Sequence, residues 1–468
     1  MADENEKKDK REKTSSVWSK YTDEEKVALE NLNKGYIDFL SRCKTERESV
    51  NYAVKAAEQA GYKNFADVNT LRAGDKVYCT FMKKSIALFQ IGTEPIERGL
   101  KILGAHIDTC RLDLKQNPLY EDGGLAYMDT HYYGGIKKYQ WVALPLAMHG
   151  VVVKKDGTTL EIVIGEDASD PVFCVTDLLI HLAQEQMKKD ASKVIDGENL
   201  DILVGNYPLQ EGEKESVKAG VLKLLKDKYD IEEKDFLSAE LALVPAGRAR
   251  ELGFDRSMIL GYGQDDRVCS YTSLVAMLEV AGENLNRTAC CLLVDKEEIG
   301  SYGATGMRSH FFENILAEVM NACGQYSELK LRRALQNSVM LSSDVSSAYD
   351  ALYASVFDKK NVAYLGKGMV FNKFTGSRGK SGSSEANAEY VAKLRDVLDK
   401  NNVAYQFSEL GKVDLGGGGT IAHMTAVYGM DVIDSGVGVL SMHAPYETTS
   451  KIDVYETKKG YAAFLRDM

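Results

Sequence analysis

An α/β architecture, with a mostly parallel central sheet covered by helices and one β-rich insertion, follows from three observations. After residue 245, apolar strand-like runs alternate with helical periodicity: "SMILGYG" precedes "DRVCSYTSLVAMLEVAG", and "TACCLLVD" precedes "HFFENILAEVMNACG". Alternation of this kind feeds parallel strands through crossover helices. Between 110 and 245 the texture is different, with short strands and turns. Finally, 468 residues exceed what one ordinary core supports. The expected division is therefore 1–109 with 246–468 as one domain and 110–245 as an inserted β-rich one.

The elements are expected in this order. Residues 1–15 form a charged tail, and its basic "KKDKREK" is interleaved with acids and solvated. Helical spacing then appears in "TDEEKVALENLNKGYIDFLSRC" and "TERESVNYAVKAAEQAGY", with Thr45 as N-cap and Gly61 as stop. "KVYCTFM", "SIALFQIG" and "KILGAHIDT" read as strands. In the insertion, "MDTHYYGG", "QWVALPLAMHGVVVKKDGTTLEIVIG" and "PVFCV" are short strands, and Lys155-Asp156-Gly157 is a hairpin signal. "VTDLLIHLAQEQMKK" looks helical, and "NLDILVGNYPLQ" leads into a charged segment. The remaining strands are "SVMLSSD", "VAYQFSEL" and "DVIDSGVGVLSMH", and a last helix starts at Tyr455.

Composition narrows the function classes. A net charge of -11 argues against a nucleic-acid or anionic-membrane surface, which needs excess positive charge. The N-terminus lacks the apolar core of a signal peptide, and no run approaches the roughly 20 apolar residues that span a bilayer. The eight cysteines, at 43, 79, 110, 174, 269, 290, 291 and 323, lie mostly in apolar runs and form no CxxC pair. Reduced, buried thiols in a cytoplasmic protein are expected.

In open α/β sheets ligands gather at the carboxyl ends of strands. Here His106 and Asp108 follow "KILGA", Asp265 and Asp266 follow "ILGYGQ", Glu297 and Glu298 follow "CLLVDK", Asp344 follows "VMLSS", and His443 follows "GVGVLSM". Each has a plain structural alternative, and Asp266 in particular stands where an aspartate caps a helix. Together they form an acid and imidazole set at strand ends. Carboxylates crowded into a cleft raise one another's pKa unless a cation resolves the repulsion. Oxygen and nitrogen donors fit Zn, Mn or Co, and this many donors suit two ions rather than one. Where the strand before Glu297 breaks into a glycine-rich loop, both glutamates can face one cleft. One is then free to bind metal while its neighbour handles a water proton. Gly300 and Gly303 allow the turn.

Other motifs carry less. "DLGGGGTIAHM" lacks the GK[ST] ending and the G-x-G-x-x-G spacing of phosphate loops, so a glycine-lined substrate wall is preferred to nucleotide binding. His423 reads as a packed loop residue or a substrate contact. His131, His149, His181 and His310 read as structural.

The stretches "TERESVNYAVKAAEQAGY", "GAHIDTCRLDLK", "GQDDRVCS", "DKEEIGSYGATGMRS", "SSDVSSA" and "SMHAPYETTSKID" resemble, in order and over most of the chain, the aspartyl aminopeptidase and vacuolar aminopeptidase I family of co-catalytic metallopeptidases. The resemblance implies a zinc-exopeptidase-like catalytic domain with an inserted dimerisation domain. It also implies two divalent ions per subunit, zinc first, with Mn or Co as the others that fit. His106 and Asp344 would hold one ion, Glu298 and His443 the other, and Asp265 would bridge them. Glu297 would be the general base, Asp108 would orient His106, and the Asp265-Asp266 peptide would be cis. The implied activity is removal of the N-terminal residue from peptides with a free N-terminus by a metal-activated water. The implied assembly is a tetrahedral dodecamer built from dimers, acting in the cytoplasm.

Two departures stand out. Acid-specific members carry a segment like "GGGLWHTWFDRDL", whereas this chain has "GGIKKYQWVALPL". Tyr139 replaces the histidine, and Val142, Ala143, Leu144 and Pro145 replace the charged run. The preferred N-terminal residue is thus left open, with Lys137 and Lys138 as cations able to meet an acidic side chain. No histidine follows Asp344 in "SSDVSSAYD". The rival readings are a carboxypeptidase or an N-acyl-amino-acid deacylase on the same scaffold, separable by whether blocking the N-terminus abolishes turnover, and a non-catalytic scaffold, which would have no need of Glu297.

Overall fold

A computed structural model describes residues 16–210 and 212–468. The charged N-terminal tail expected at 1–15 lies outside the described residues. Among the described residues three larger sheets, a two-stranded ribbon of Gly376–Ser377 with Gly417–Gly418, and a set of packed helices form the structure.

The largest sheet has nine strands, in the order Lys63–Asn64, Lys76–Phe81, Ser85–Gln90, Ala289–Val294, Lys101–His106, Val339–Ser343, Asp431–Gly436, Met369–Asn372 and Tyr405–Phe407. It is mixed. Strands 289–294, 101–106, 339–343 and 431–436 are mutually parallel, while antiparallel pairings join the hairpin 76–90 on one side and 369–372 on the other. Side chains alternate between the two faces, as strand geometry requires. Leu103, Cys291, Leu293 and Leu341 enter one apolar cluster. Ile102, Cys290, Leu292 and Met340 enter the other. Because both faces are buried, these strands read in the sequence as continuous apolar runs. The helices Gln264–Glu279 and Lys451–Asp467 cover the first face, and Phe311–Ala322 and Glu328–Gln336 cover the second.

The two opening helices are Asp23–Arg42 and Glu46–Gln59. Each starts with a capping box, Thr22 with Glu25 and Thr45 with Glu48, and so satisfies two otherwise orphaned N–H groups. Gly61, at φ 84°, turns the chain after the second. The final helix begins at Lys451, ahead of the expected Tyr455.

Strands between Arg111 and Pro245 build a separate, fully antiparallel sheet of seven, in the order 159–164, 146–153, 239–245, 111–122, 125–133, 202–205 and 174–175. The Lys155-Asp156-Gly157 turn joins two of these strands, with Gly157 at φ 89°. Two expectations fail here. "VTDLLIHLAQEQMKK" forms only the short 3-10 turns Ile180–Leu182 and Gln186–Lys188. Its Leu178, Leu179, Ile180 and Leu182 are exposed, so among the described residues no surface covers the apolar side that a helix here would need to bury. The charged segment instead contains the helix Ser216–Tyr229, whose Val217, Val221 and Leu225 pack on the sheet.

A five-stranded sheet, Arg250–Leu252, Met258–Gly261, Glu447–Ser450, Gly438–Leu440 and Ser346–Ser347, ties the segment after Asp344 to those flanking Asp265 and His443. Among the described residues no helix is long and apolar enough to cross a membrane. All eight cysteines are free, and Cys43, Cys110, Cys269, Cys290 and Cys291 are buried.

Candidate metal centre

Three of the parallel strands deliver site residues at or just beyond their carboxyl ends. His106 closes strand 101–106, Asp344 follows strand 339–343, and Glu297 and Glu298 follow strand 289–294. After Val294 the chain makes a 3-10 turn over Glu297–Ile299, with Lys296 at φ 71° and Gly300 at φ 91°. Two adjacent carboxylates thereby escape the alternation of a strand, and both line one cleft of about 760 Å³.

Asp265 arrives differently. Gly263, at φ 69°, ends the approach from strand 258–261, and a Cβ there would lie 1.6 Å from the Arg267 guanidinium. Arg267 is fully buried, donates to Tyr262 O at 3.0 Å and Gly263 O at 2.9 Å, and stacks on the Tyr262 ring. Asp265 and Asp266 open the helix with non-helical dihedrals, and the peptide between them is cis. The Asp265 N–H donates to Glu447 Oε2 at 3.0 Å, and its carbonyl accepts from Thr109 Oγ1 at 2.8 Å. His443, at φ 64°, donates its own N–H to Glu447 Oε1 at 2.8 Å. Glu447 thus holds the backbones of both Asp265 and His443, a role the sequence reading missed; the only local signal is a glutamate four residues after His443.

The donor atoms form two groups. His106, Asp265 and Asp344 place theirs within 4.8 Å of one another, as do Cys110, Glu298 and His443. Asp265 faces both, with Oδ1 3.3 Å from His106 Nε2 and Oδ2 3.1 Å from His443 Nε2. Glu298 Oε2 is 3.4 Å from His443 Nε2, and Glu297 Oε2 is 4.0 Å from His106 Nε2. The Nδ1 of each imidazole is held by a backbone carbonyl, of Asp108 at 3.0 Å for His106 and of Gly135 at 2.9 Å for His443. Because a carbonyl only accepts, Nδ1 carries the proton and Nε2 points a lone pair inward. The Asp108 carboxylate also accepts from Tyr133 Oη at 2.8 Å. Asp266 is buried beside this set rather than capping: its Oδ2 accepts the His106 N–H at 3.3 Å, and its Oδ1 has no partner.

The charges are in conflict. Burial, with help from Asp344, Glu298 and Asp108, pushes Glu297 up to about 9 although His106 opposes it. Burial and Asp265 push Glu298 up to about 7, and burial also raises Asp344. Burial disfavours charge on His106 and His443 too, yet their carboxylate neighbours raise both well above the ordinary range. Asp265 is held low, because its hydrogen bonds to the two imidazoles outweigh burial. Glu298 Oε1 is buried and has no hydrogen-bond partner. Crowded carboxylates, inward imidazole lone pairs and an orphaned carboxylate oxygen fit divalent cations, and the oxygen, nitrogen and sulfur donor set suits zinc.

The remaining candidates lie elsewhere. His423 packs in its loop, with Nδ1 2.9 Å from Thr420 O and Nε2 3.3 Å from Arg308. Gly416–Gly419 lines the cleft, as do the cations Arg378, Lys380 and Lys412, whereas Lys137 and Lys138 are not among its lining residues. His149 is buried between Glu48 and Glu166, and His131, His181 and His310 are exposed. Cys110 joins the second donor group, which its apolar-looking context did not suggest.

Comparison with known proteins identifies relatives of this chain. The model of the family described as Aminopeptidase I zinc metalloprotease (M18) matches residues 39–465. The "Probable M18 family aminopeptidase 1" of Clostridium acetobutylicum is 59% identical over 97% of this chain and 98% of its own length. The crystal structure of the M18 family aminopeptidase from Thermotoga maritima superposes with a TM-score of 0.93 at 43% identity, over 97% of this chain and 99% of that one. The mApe1 dodecamer of Saccharomyces cerevisiae, at 20% identity and a TM-score of 0.73 over 92% of this chain and 95% of that one, shares the fold. The chain belongs to the aminopeptidase I zinc metalloprotease (M18) family and is an aminopeptidase, a zinc-dependent hydrolase of peptide bonds.

Proposed function

We propose that this aminopeptidase works with two divalent ions per subunit. His106 and Asp344 would hold one, Glu298 and His443 the other, and Asp265 would lie between them. The observation that carries this reading is the Asp265 carboxylate, whose two oxygens each face a different inward-pointing imidazole, at 3.3 and 3.1 Å. When bound, such a pair supplies Lewis acidity toward the scissile carbonyl and makes a nearby water easier to deprotonate. Glu297 takes the proton of the water that attacks the carbonyl and returns it to the leaving amine. Its burial and acidic neighbours raise its affinity for a proton, and a nearby cation would lower that affinity and favour the ionised form that accepts the water proton. Asp108 orients His106. Asp434, in the wall of the same cleft, would offer negative charge to a free α-ammonium and so favour attack at the first residue.

Residues 110–245 act, in this reading, as an inserted dimerisation domain, and the dimers assemble into a tetrahedral dodecamer. The exposed Leu178, Leu179, Ile180 and Leu182 on that unit and the dodecamer formed by the yeast relative support it. Eight free thiols support a cytoplasmic setting.

The test is an assay of aminoacyl chromogenic substrates with and without chelator, alongside Glu297→Gln and a count of bound metal. The expected result is activity that chelation abolishes, two ions per chain, and a loss of at least about a hundredfold in the variant at unchanged metal content. Activity that survives both chelation and the substitution would overturn the reading.

A further inference from the structure

Cys110 lies between strand 101–106, which carries His106, and strand 111–122 of the antiparallel sheet. Its carbonyl accepts from Tyr262 Oη at 2.9 Å, so its backbone is pinned, and the residue is only 3% exposed. Cys43, Cys269, Cys290 and Cys291 sit inside the apolar clusters that flank the main sheet. Cys110 belongs to none of those clusters. Its thiol faces the Glu298 carboxylate and the His443 imidazole instead.

Three features suggest that this placement serves a ligand. Glu298, whose side chain is 3% exposed, keeps Oε1 buried and without a hydrogen-bond partner in the same donor group. A buried carboxylate oxygen left unpaired is costly unless something cationic meets it. The His443 ring is fixed by the Gly135 carbonyl so that Nε2 is the free nitrogen. Neighbouring Gly134, at φ 81°, lets the chain pass directly over the sulfur, because a Cβ there would lie 2.6 Å from Cys110 Sγ and 3.4 Å from Glu298 Oε2. The loop that closes strand 125–133 therefore holds the imidazole and confines the thiol together.

The two donor groups are also chemically unequal. His106, Asp265 and Asp344 offer only nitrogen and oxygen, whereas the second group adds a sulfur. Soft sulfur donors select thiophilic ions, while carboxylate-rich sites also accept manganese or magnesium.

We propose that Cys110 is a sulfur ligand at the second cation position, so that this position takes zinc or another thiophilic divalent ion in preference to manganese. On coordination the S–H bond gives up its proton to solvent, and the sulfur electron pair forms the bond to the cation. The inference rests on the two-ion reading above and adds a fourth protein donor to Asp265, Glu298 and His443.

The full-length chain, stripped of metal, is titrated with cobalt(II), with bound metal counted at each step, for wild type and Cys110→Ser. The expected result is a near-ultraviolet sulfur-to-cobalt charge-transfer band in the wild type, absent from the variant, with two ions bound by both. The preference for zinc over manganese at the second position should fall by at least about tenfold in Cys110→Ser, the lower scale for perturbing a metal's protein surroundings. Zinc-edge X-ray absorption on the wild type gives a readout that needs no variant: a sulfur scatterer at about 2.3 Å. Two bound ions with neither the band nor the sulfur scatterer, or a band unchanged in Cys110→Ser, would overturn the proposal and leave the two-ion reading standing. Fewer than two bound ions in the wild type would overturn both.

Discussion

The Asp108 carboxylate accepts the backbone N–H of Glu297 at 3.0 Å, and its second oxygen accepts that of Glu298 at 3.2 Å. One buried side chain therefore ties the turn bearing both glutamates to the strand end bearing His106, whose Nδ1 lies 3.3 Å from Asp108 Oδ1. Burial works against its charge, yet His106, Tyr133 and Arg111 hold it below the ordinary carboxylate range.

Asp108→Asn should preserve shape while removing that charge and turning one accepting oxygen into a donor aimed at an N–H. We expect zinc affinity and kcat/KM to fall by about 10 to 100-fold, the usual effect of losing a group that orients a metal-binding histidine. Zinc content and steady-state kinetics measured on the same preparation check this. Unchanged values in both would remove Asp108 from the site's support.

His149 offers a pH test away from the metal centre. Its Nδ1 lies 2.8 Å from Glu48 Oε1 and its Nε2 3.1 Å from Glu166 Oε1, while Lys44 pairs with the same Glu166 and donates to Pro245 O and Gly247 O. This cluster fastens the start of helix 46–59 to the antiparallel sheet. Burial opposes charge on His149, but Glu166 and Glu48 raise it above its ordinary value. A raised folded-state pKa means that the stabilisation is fully present below the unfolded value, about 6.5, and fades as pH rises through the folded one. His149→Gln should therefore cost about 3 kcal/mol near the acid end, the scale for breaking a buried pair, and less in alkali. Thermal unfolding of both proteins at about pH 6 and about pH 9 decides it; a gap that widened with pH would have the wrong sign.

How much of this could be read in advance depended on whether a signal was local. His106, Glu297, Glu298 and Asp344 were legible because each ends or follows an apolar run of a sheet buried on both faces, where a polar side chain has few other reasons to be. Glu447 and Cys110 were not, because what they touch comes from distant segments: Asp265 lies 182 residues from Glu447. The 175–189 segment misleads because a helical pattern says nothing about whether a packing surface exists. The helix 216–229 was missed for the opposite reason, since its lysines obscured the i, i+4, i+8 spacing of Val217, Val221 and Leu225.

Gly436 tests how tightly the strands hold Asp344. It ends strand 431–436, and a Cβ there would lie 2.0 Å from the Asp344 carbonyl oxygen and 2.7 Å from Cys269 Sγ. Its φ is not in the left-handed region, so the constraint is space alone. Gly436→Ala should cost about 1 to 3 kcal/mol, as overpacking does, and should shift Asp344 away from its donor group. A lowered Tm accompanied by lowered zinc content is expected. A lowered Tm at full zinc content would mean that the strand yields without moving the ligand.

Metal removal should itself destabilise the fold, in a way that depends on pH. Asp265, Asp344, Glu297 and Glu298 converge in a buried space, and ions that bind only the folded chain stabilise it by about 4 kcal/mol at roughly a thousand times Kd. Protons compete for the same oxygens. Glu298, pushed up to about 7 by burial and Asp265, is largely protonated in acid and must lose that proton to act as a ligand. Affinity should therefore rise with pH, and the stabilisation with it. The difference in Tm between zinc-loaded and chelated protein should be large at about pH 8 and small at about pH 5. A difference independent of pH would mean that binding displaces no proton in this range, and a chelator that left Tm unchanged at about pH 8 would mean that the carboxylates are not relieved by a cation at all.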